Sequence, residues 1–119
     1  MKTVLVVDDE QAIAEMLRAL LEGEGYRVIA AANGRSALAQ LASTPVDLVI
    51  SDLMMPILDG QDLTRAMRSS PSHQTIPLVL MSAVGTGQIG ADVRYQGFLA
   101  KPFGLDDVLG LVERLIGPP

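Results

Sequence analysis

Short apolar runs without polar alternation are the feature that most constrains the fold of this chain. Four of them occupy residues 4–7, 28–32, 48–50 and 77–81, and a shorter fifth spans residues 98–100. Continuous aliphatic runs of this length are typical of strands covered on both faces, as in parallel sheets. The runs therefore predict a parallel five-stranded sheet enclosed by helices.

Helical periodicity fills the gaps between the runs. Apolar residues recur at i, i+3 and i+4 spacing after the first run and after the fifth, and shorter patterns follow the second and third. Asp59 is a candidate cap for the third helix. Residues 84–97 contain four glycines, each costing about 1 kcal/mol relative to alanine inside a helix. We expect a short, frayed or displaced fourth helix there, and a β-α unit repeated five times in an α/β fold.

Composition limits the classes of partner and the cellular compartment that we expect for this chain. The chain has 119 residues, 49% of them hydrophobic, with a net charge of -5 and no cysteine. This composition excludes intrinsic disorder, disulfides and thiol chemistry, and it disfavours nucleic acid and anionic membranes as partners. The N-terminus lacks the long apolar region of a signal peptide. We expect one cytoplasmic domain over residues 1–119, with residues 117–119 as a possible start of a linker.

Polar residues follow four of the five runs. Asp8 and Asp9 come after the first and Asp52 after the third, while Ser82 follows the fourth and Lys101 the fifth. Ligands of open parallel sheets bind at the carboxyl ends of the strands. Three carboxylates gathered there repel one another unless a cation joins them, and Mg2+ suits such oxygen ligands. A carboxylate nucleophile with a metal, a lysine and a hydroxyl is suited to a phosphoryl group.

The same residues stand in four motifs, which in chain order are VDDE at 7–10, DLVISDLMMP at 47–56 with DG at 59–60, MSA at 81–83 and KPF at 101–103. Together these motifs resemble the receiver domain of two-component response regulators, of the chemotaxis-regulator-like type. The resemblance covers essentially the whole chain. It implies a flavodoxin-like, doubly wound (βα)5 sandwich with strand order 2-1-3-4-5.

The resemblance also implies a role for each acid. Asp52 would accept a phosphoryl group from a sensor histidine kinase or a histidine phosphotransfer protein. Asp8 and Asp9 would hold Mg2+ together with the Asp52 carboxylate and the backbone carbonyl of Met54. The domain would assist its own phosphorylation and dephosphorylation and turn over no external substrate, so it would not be an enzyme.

Three further roles follow from the same resemblance. Ser82 would turn toward the phosphoryl oxygens and Lys101 would pair with them. Phe98, three residues before Lys101, matches the aromatic switch whose rotamer follows phosphorylation. The Lys101-Pro102 peptide bond would be cis.

Two departures from the family pattern bear on signalling. Ser82 and Lys101 are 19 positions apart, about three fewer than the family pattern, which is close to one helical turn. The shortened stretch belongs to the face that usually carries dimerisation or output. Met54 and Val84 are apolar at the two positions that tune hydrolysis in the family, so we predict slow self-dephosphorylation.

Every site residue except Asp52 also has an interpretation that involves no chemistry. Asp8 and Asp9 would cap the first helix, Ser82 would be a turn residue and Lys101 a solvated loop lysine. Phe98 would belong to the core. The joint placement of these residues at four strand ends favours the site.

Two other functions remain open on the sequence alone. One is a receiver-like interaction module that works without phosphorylation. The other is a small phosphatase of the haloacid-dehalogenase type with an acid after the first strand as nucleophile, although its second carboxyl would be Glu10 rather than an aspartate. His73 lies in the polar stretch 69–75 and is expected to be solvated rather than to relay phosphate. The sequence does not identify the effector domain or target protein. We expect this domain to bind no nucleic acid and no membrane.

Overall fold

A single parallel sheet forms the centre of the molecule. The computed structural model describes residues 1–119. The strands are β1 (Thr3–Val7), β2 (Arg27–Ala31), β3 (Leu48–Asp52), β4 (Leu78–Ser82) and β5 (Gly97–Ala100). Their order is β2-β1-β3-β4-β5, and every neighbouring pair is parallel. The predicted fold class and strand order are confirmed, with strand ends that differ from the apolar runs by one or two residues.

Four helices pack on this sheet, two on each face. They are α1 (Gln11–Glu24), α2 (Gly34–Ser43), α3 (Gly60–Arg68) and α4 (Leu105–Ile116). Side chains cap two of them. Asp59 accepts a hydrogen bond from the Asp62 amide, as the sequence predicted, and Asn33 accepts one from the Ser36 amide. No helix of the chain is long and apolar enough to cross a bilayer.

The alternation of side chains along the strands divides the apolar interior into two cores. Val4 and Val6 of β1 face α1 and α4, whereas Leu5 and Val7 face α2 and α3. All four side chains are fully buried. Strands buried on both faces explain why the sequence shows continuous apolar runs instead of alternation.

The prediction of a fourth helix between β4 and β5 is wrong, because this part of the chain forms turns and no helix at all. We call residues 83–96 the β4–β5 segment. Gly85 adopts a left-handed backbone, with a φ of 78°, and Gly87 and Gly90 add further conformational freedom. Val93 is buried, and Ile89 and Tyr95 pack beside it against the α2–α3 core. A turn-rich segment therefore covers the part of the sheet where a helix was predicted.

The two ends of the chain meet at the edge of the sheet opposite the strand C-termini. The Lys2 ammonium donates a hydrogen bond to the Ile116 carbonyl. The Tyr26 hydroxyl donates one to the Gly117 carbonyl over 2.8 Å. These donors satisfy carbonyl groups at the end of α4 that have no partner within the helix.

Candidate functional site

The sheet register brings the predicted site residues to one edge. Asp52 is the last residue of β3 and pairs with Met81 of β4, next to Ser82. Ser82 in turn pairs with Ala100, so Lys101 follows directly beyond the end of β5. Asp8 follows β1, the other neighbour of β3. The strand order therefore assembles a site from residues far apart in the sequence.

Lys101 is the centre of the cluster. Its ammonium nitrogen lies 3.1 Å from Asp8 Oδ2 and 3.2 Å from Asp52 Oδ1. The Lys101 side chain is 14% exposed, and the Asp8 side chain is fully buried. Side chains buried this deeply stay ionised when they are paired with an opposite charge. The interpretation of Lys101 as a solvated loop lysine is therefore wrong.

The three aspartates form one group of oxygen donors. Asp8, Asp9 and Asp52 each offer a carboxylate oxygen within 4.8 Å of the others. Asp8 and Asp52 are buried, whereas Asp9 is exposed to solvent. The N-cap of α1 is Glu10, and no side chain caps that helix end. The aspartates are therefore not used to cap α1, in contrast to the alternative raised by the sequence.

The cluster contains more negative than positive side chains. Burial, and then the charge of Asp8, raise the pKa of the Asp52 carboxyl, although Lys101 opposes this shift. Burial lowers the pKa of Lys101, but its contacts with Asp8 and Asp52 outweigh that effect and the pKa is raised overall. One lysine thus faces three carboxylates that remain only partly neutralised.

A cavity of about 250 Å³ opens over the cluster. Its walls include Asp9, Asp52 and Lys101, together with Met54 and Ser82. Ser82 is buried, and its hydroxyl accepts a hydrogen bond from the Val84 amide over 3.1 Å. The Met54 side chain is 62% exposed. The space is open enough to admit a small anion next to Asp52.

Glu10 belongs to this cluster, although the sequence pattern did not single it out as a site residue. Its carboxylate lies 3.7 Å from the Lys101 ammonium, and it lines the same cavity. The Glu10 amide donates a hydrogen bond to Asp8 Oδ1, and the Leu53 amide donates one to Asp52 Oδ1. The sequence signal was the third consecutive acid in VDDE, which reads equally well as a helix start.

Phe98 lies apart from the acidic cavity. It is half-buried on β5 and packs against the α2–α3 core. It also lines a separate open cavity between β5 and α4, with Phe103. The structure thus places Phe98 in a position that serves core packing, and its role as a switch stays a prediction. The Lys101-Pro102 peptide bond is cis, as the resemblance implied.

His73 is not a freely solvated side chain, so that expectation is wrong. Its Nε2 lies 3.1 Å from the Leu41 carbonyl, and its Nδ1 lies 3.2 Å from the Ser70 hydroxyl. Since a carbonyl only accepts, Nε2 carries the proton of this pair. The ring ties the end of α2 to the turn after α3, and it is not among the residues that line the acidic cavity.

The β3–α3 loop beside the cavity contains a strained residue. Ile57 has a φ of 74°, and the Leu58 amide donates to the Pro56 carbonyl over 2.8 Å, closing a three-residue turn around it. A β-branched residue is rare in this backbone region. The Ile57 side chain is also 69% exposed. Nothing in the sequence around position 57 signals this conformation.

Comparison with known proteins agrees with this fold. The model of the response regulator receiver domain matches residues 4–113. Response regulator MprA of Mycolicibacterium vanbaalenii is 38% identical over 116 residues, covering 95% of this chain and 49% of that protein. The chain thus spans about half the length of the curated relatives it matches.

Solved structures resemble the whole chain. The chemotaxis protein CheY4 of Vibrio cholerae superposes with a TM-score of 0.91 at 33% identity, covering 97% of this chain and 98% of that one. The response regulator TrrA of Thermotoga maritima, solved in complex with Mg2+-BeF, has a TM-score of 0.85 at 32% identity, covering 97% and 99%. With a parallel sheet of the same order and an acidic cluster at its edge, this chain belongs to the response regulator receiver domain family.

Proposed function

We propose that this chain is a phosphoacceptor switch in which Asp52 receives a phosphoryl group. The observation that carries the proposal is the position of the Lys101 ammonium, which lies within 3.2 Å of both Asp8 and Asp52 beneath an open cavity. A lysine held in this way can contact an oxygen of a phosphoryl group on Asp52 without leaving Asp8. The donor would be a sensor histidine kinase or a histidine phosphotransfer protein.

Three residues of this chain would take part in the transfer. A carboxylate oxygen of Asp52 attacks phosphorus, the P–N bond to the donor imidazole breaks, and its electron pair stays on the ring nitrogen. Lys101 stabilises the charge on the transferred oxygens. Ser82, buried on the neighbouring strand, would donate a hydrogen bond from its hydroxyl to one of them.

The donor set fits Mg2+. Three carboxylates within 4.8 Å supply hard oxygen ligands, and the single lysine leaves them with excess negative charge. Asp8, Asp9 and Asp52 would hold the ion together with the backbone carbonyl of Met54. When bound, Mg2+ supplies positive charge that lets Asp52 and an incoming phosphoryl group approach each other.

Apolar side chains flank the cavity where water would attack the phosphorylated aspartate. Met54 and Val84 are 62% and 55% exposed, and neither can orient a water molecule through a polar group. We therefore propose slow hydrolysis of the phosphorylated form. A lifetime of seconds in the Mg2+-bound protein would contradict this proposal.

The remaining aspects of the function are proposed at the level of the family. The domain signals through its conformation and turns over no external substrate, and its output goes to an unidentified effector domain or target protein. Residues 1–119 act as one receiver domain in the cytoplasm. MprA is about twice as long as this chain, so the activity of any longer protein is a separate matter.

Intact mass after incubation with acetyl phosphate tests the proposal. We expect the wild-type protein to gain one phosphoryl group in the presence of Mg2+ and none after chelation. Asp52→Asn should gain none, whereas Asp106→Asn, which changes an exposed carboxyl on α4, should behave as wild type. Absence of any gain in the wild type would favour the phosphorylation-independent interaction module. Steady turnover of a generic phosphomonoester would favour the phosphatase.

A further inference from the structure

We propose that Glu10 determines which phosphoryl donors the acidic site accepts. Its carboxylate disfavours free acyl phosphates, which are dianions, and favours a donor that brings positive charge beside its phosphoryl group. The proposal rests on the phosphoacceptor function of Asp52 and deepens it by naming the class of donor. Of the charged residues that line the cavity, only Glu10 has no part in holding Mg2+ or in the transfer itself.

The backbone of Glu10 is fixed at the edge of the cavity. Glu10 is the N-cap of α1, and its carbonyl accepts hydrogen bonds from the Ile13 and Ala14 amides over 3.1 and 3.2 Å. Its own amide donates to Asp8 Oδ1 over 2.9 Å. Both polar groups of this backbone unit are therefore used. Glu10 cannot move away from the cavity unless the start of α1 moves with it.

The Glu10 side chain has one cationic partner, Lys101, which it shares with two closer carboxylates. Glu10 Oε1 lies 3.7 Å from the Lys101 ammonium, which is beyond the range of a hydrogen bond. The oxygens of Asp8 and Asp52 lie 3.1 and 3.2 Å from the same nitrogen. The Glu10 side chain is also 65% exposed. Lys101 therefore neutralises the two buried carboxylates first and leaves the charge of Glu10 at the surface of the cavity.

A balance of charges shows that Glu10 is in excess when the site is occupied. With Mg2+ bound, the positive charges of the ion and of Lys101 equal the negative charges of the aspartates at positions 8, 9 and 52. The other residues that line the cavity are uncharged. An incoming donor therefore meets a cavity whose net charge is that of the Glu10 carboxylate.

Glu10 is close enough to the reacting atoms for this charge to affect the rate. Lys101 Nζ is 3.7 Å from Glu10 Oε1 and 3.2 Å from Asp52 Oδ1, so the two oxygens are no more than about 7 Å apart. Repulsion between two unit charges at this distance in bulk water corresponds to about a threefold change in rate, and to more where water is partly excluded. Each unit of negative charge on a donor is therefore disfavoured.

Donors of the same phosphoryl group differ in the charge that they carry. Near pH 7 acetyl phosphate is a dianion, whereas phosphoramidate is a monoanion because its nitrogen is protonated. In both cases a carboxylate oxygen of Asp52 attacks phosphorus. With acetyl phosphate the P–O bond breaks and acetate leaves with the electron pair, and with phosphoramidate the P–N bond breaks and ammonia leaves. Glu10 should therefore slow the first reaction more than the second.

The surface around the cavity extends the same preference to a protein donor. Two neighbouring cavities share Asp9 with the first, and they add Asp59 on one side and Glu15 on the other. No basic residue lines either of them. This surface stays acidic after Mg2+ has neutralised the aspartates. A phosphohistidine protein with lysine or arginine side chains around its phosphoryl group would be complementary to it.

Initial rates of phosphorylation with the two small donors test the role of Glu10. Intact mass is followed over time at saturating Mg2+ and low salt. Glu10→Gln should speed the reaction with acetyl phosphate about fivefold and the reaction with phosphoramidate only about twofold. Glu10→Asp keeps the charge and should keep the wild-type ratio of the two rates. Glu24→Gln makes the same change at an exposed position at the other end of α1 and should also keep that ratio.

Ionic strength separates an effect of charge from an effect of packing. The Debye length falls from about 30 Å at 0.01 M salt to about 3 Å at 1 M, and the Glu10 side chain is largely exposed. The advantage of Glu10→Gln with acetyl phosphate should therefore shrink as salt is added. An advantage that is the same at low and high salt would overturn the proposal.

Beryllium fluoride with Mg2+ provides a measurement at equilibrium that involves no transfer. It is an anionic mimic of the phosphoryl group, and bound fluoride is observed directly by fluorine NMR. Glu10→Gln should bind it about twofold more tightly than wild type at low salt, and Glu24→Gln should bind it as wild type does. Equal affinities for Glu10→Gln and Glu24→Gln would contradict a role for the charge of Glu10.

The two donors also distinguish failure of this proposal from failure of the proposed function. Equal gains for acetyl phosphate and phosphoramidate in Glu10→Gln, or no gain with acetyl phosphate, would overturn donor selection by Glu10 and leave the phosphoacceptor function standing. Absence of any phosphoryl gain from either donor, in wild type and in every variant, would overturn both.

Discussion

Replacing Ile57 by glycine is expected to stabilise the domain, although the change removes a large apolar side chain. The reason lies in the backbone of the β3–α3 loop, where Ile57 has a φ of 74°. An L-residue with a Cβ in such a conformation costs about 1–3 kcal/mol, and a β-branched residue falls toward the upper end of that range. Glycine adopts the same backbone without this penalty.

Two smaller effects oppose the gain. Glycine gives the unfolded chain more conformational freedom, which costs about 0.4–1 kcal/mol. The Ile57 side chain is 69% exposed, so the third that is buried contributes only about 0.5–1 kcal/mol. With strain of about 2–3 kcal/mol, the net gain is about 1 kcal/mol. For a domain of this size, it corresponds to a rise in Tm of about 4 °C.

Urea unfolding of three proteins separates the effects. Ile57→Gly should unfold at a higher urea midpoint than wild type, by roughly 0.5–1 M. Ile57→Ala keeps the strained Cβ but loses the side-chain contacts, so its midpoint should lie at or below that of wild type. A midpoint for Ile57→Gly below that of Ile57→Ala would show that the loop stores no strain, and the argument from φ would fail.

Three further predictions follow from the structure. Burial and the neighbouring Asp8 carboxylate raise the pKa of Asp52, so ionisation of Asp52 lowers the stability of the fold as the pH rises above about 4. Without Mg2+, the urea midpoint of Asp52→Asn should therefore exceed that of wild type at pH 7 and match it near pH 3. Burial also raises the pKa of Tyr26, whose hydroxyl donates a hydrogen bond to the Gly117 carbonyl, so wild type should lose stability as the pH rises above about 10. Tyr26→Phe should lower the free energy of unfolding by about 1 kcal/mol near neutrality and should not show this alkaline loss. A Cβ on Gly60 would fall 2.4 Å from the Asp52 carbonyl oxygen, so Gly60→Ala should lower the Tm strongly. Gly110 lies in α4 with open space around it, so the control Gly110→Ala should raise the free energy of unfolding by up to about 1 kcal/mol.

The sequence predicted the sheet well because burial on both faces leaves a direct mark on it. Runs such as Val4–Val7 and Leu48–Ile50 coincide with observed strands, since a parallel strand between two helical layers has no solvent-facing positions. The convergence of Asp52 and Lys101 was also predictable, because both lie just after apolar runs and parallel strand ends share one edge.

Other features depend on contacts that no local pattern encodes. Glycines in residues 84–97 predicted a short, frayed or displaced fourth helix. They did not reveal that Gln61, Arg65 and Arg68 of α3 would bind the β4–β5 segment in its place. The half-buried position of His73 depends on the Leu41 carbonyl, which lies 32 positions away in the sequence. The left-handed backbone of Ile57 is imposed by the closure of its loop. In each case tertiary structure overrides local preference.

The meeting of the two chain ends has a consequence for how the domain can be rewired. Lys2 and Tyr26 donate to carbonyls at the end of α4, and the Pro119 side chain lies against Gly25. A short linker could therefore join Pro119 to Met1 with little disturbance. New ends opened at Gly87, where there is open space, would give a circular permutant in which β5 and α4 come first in the chain. Polar side chains of α3 (Gln61, Arg65 and Arg68) hydrogen-bond the β4–β5 segment. In such a permutant they would hold a free chain end, so this segment could be lengthened, labelled or fused without cutting any strand of the sheet.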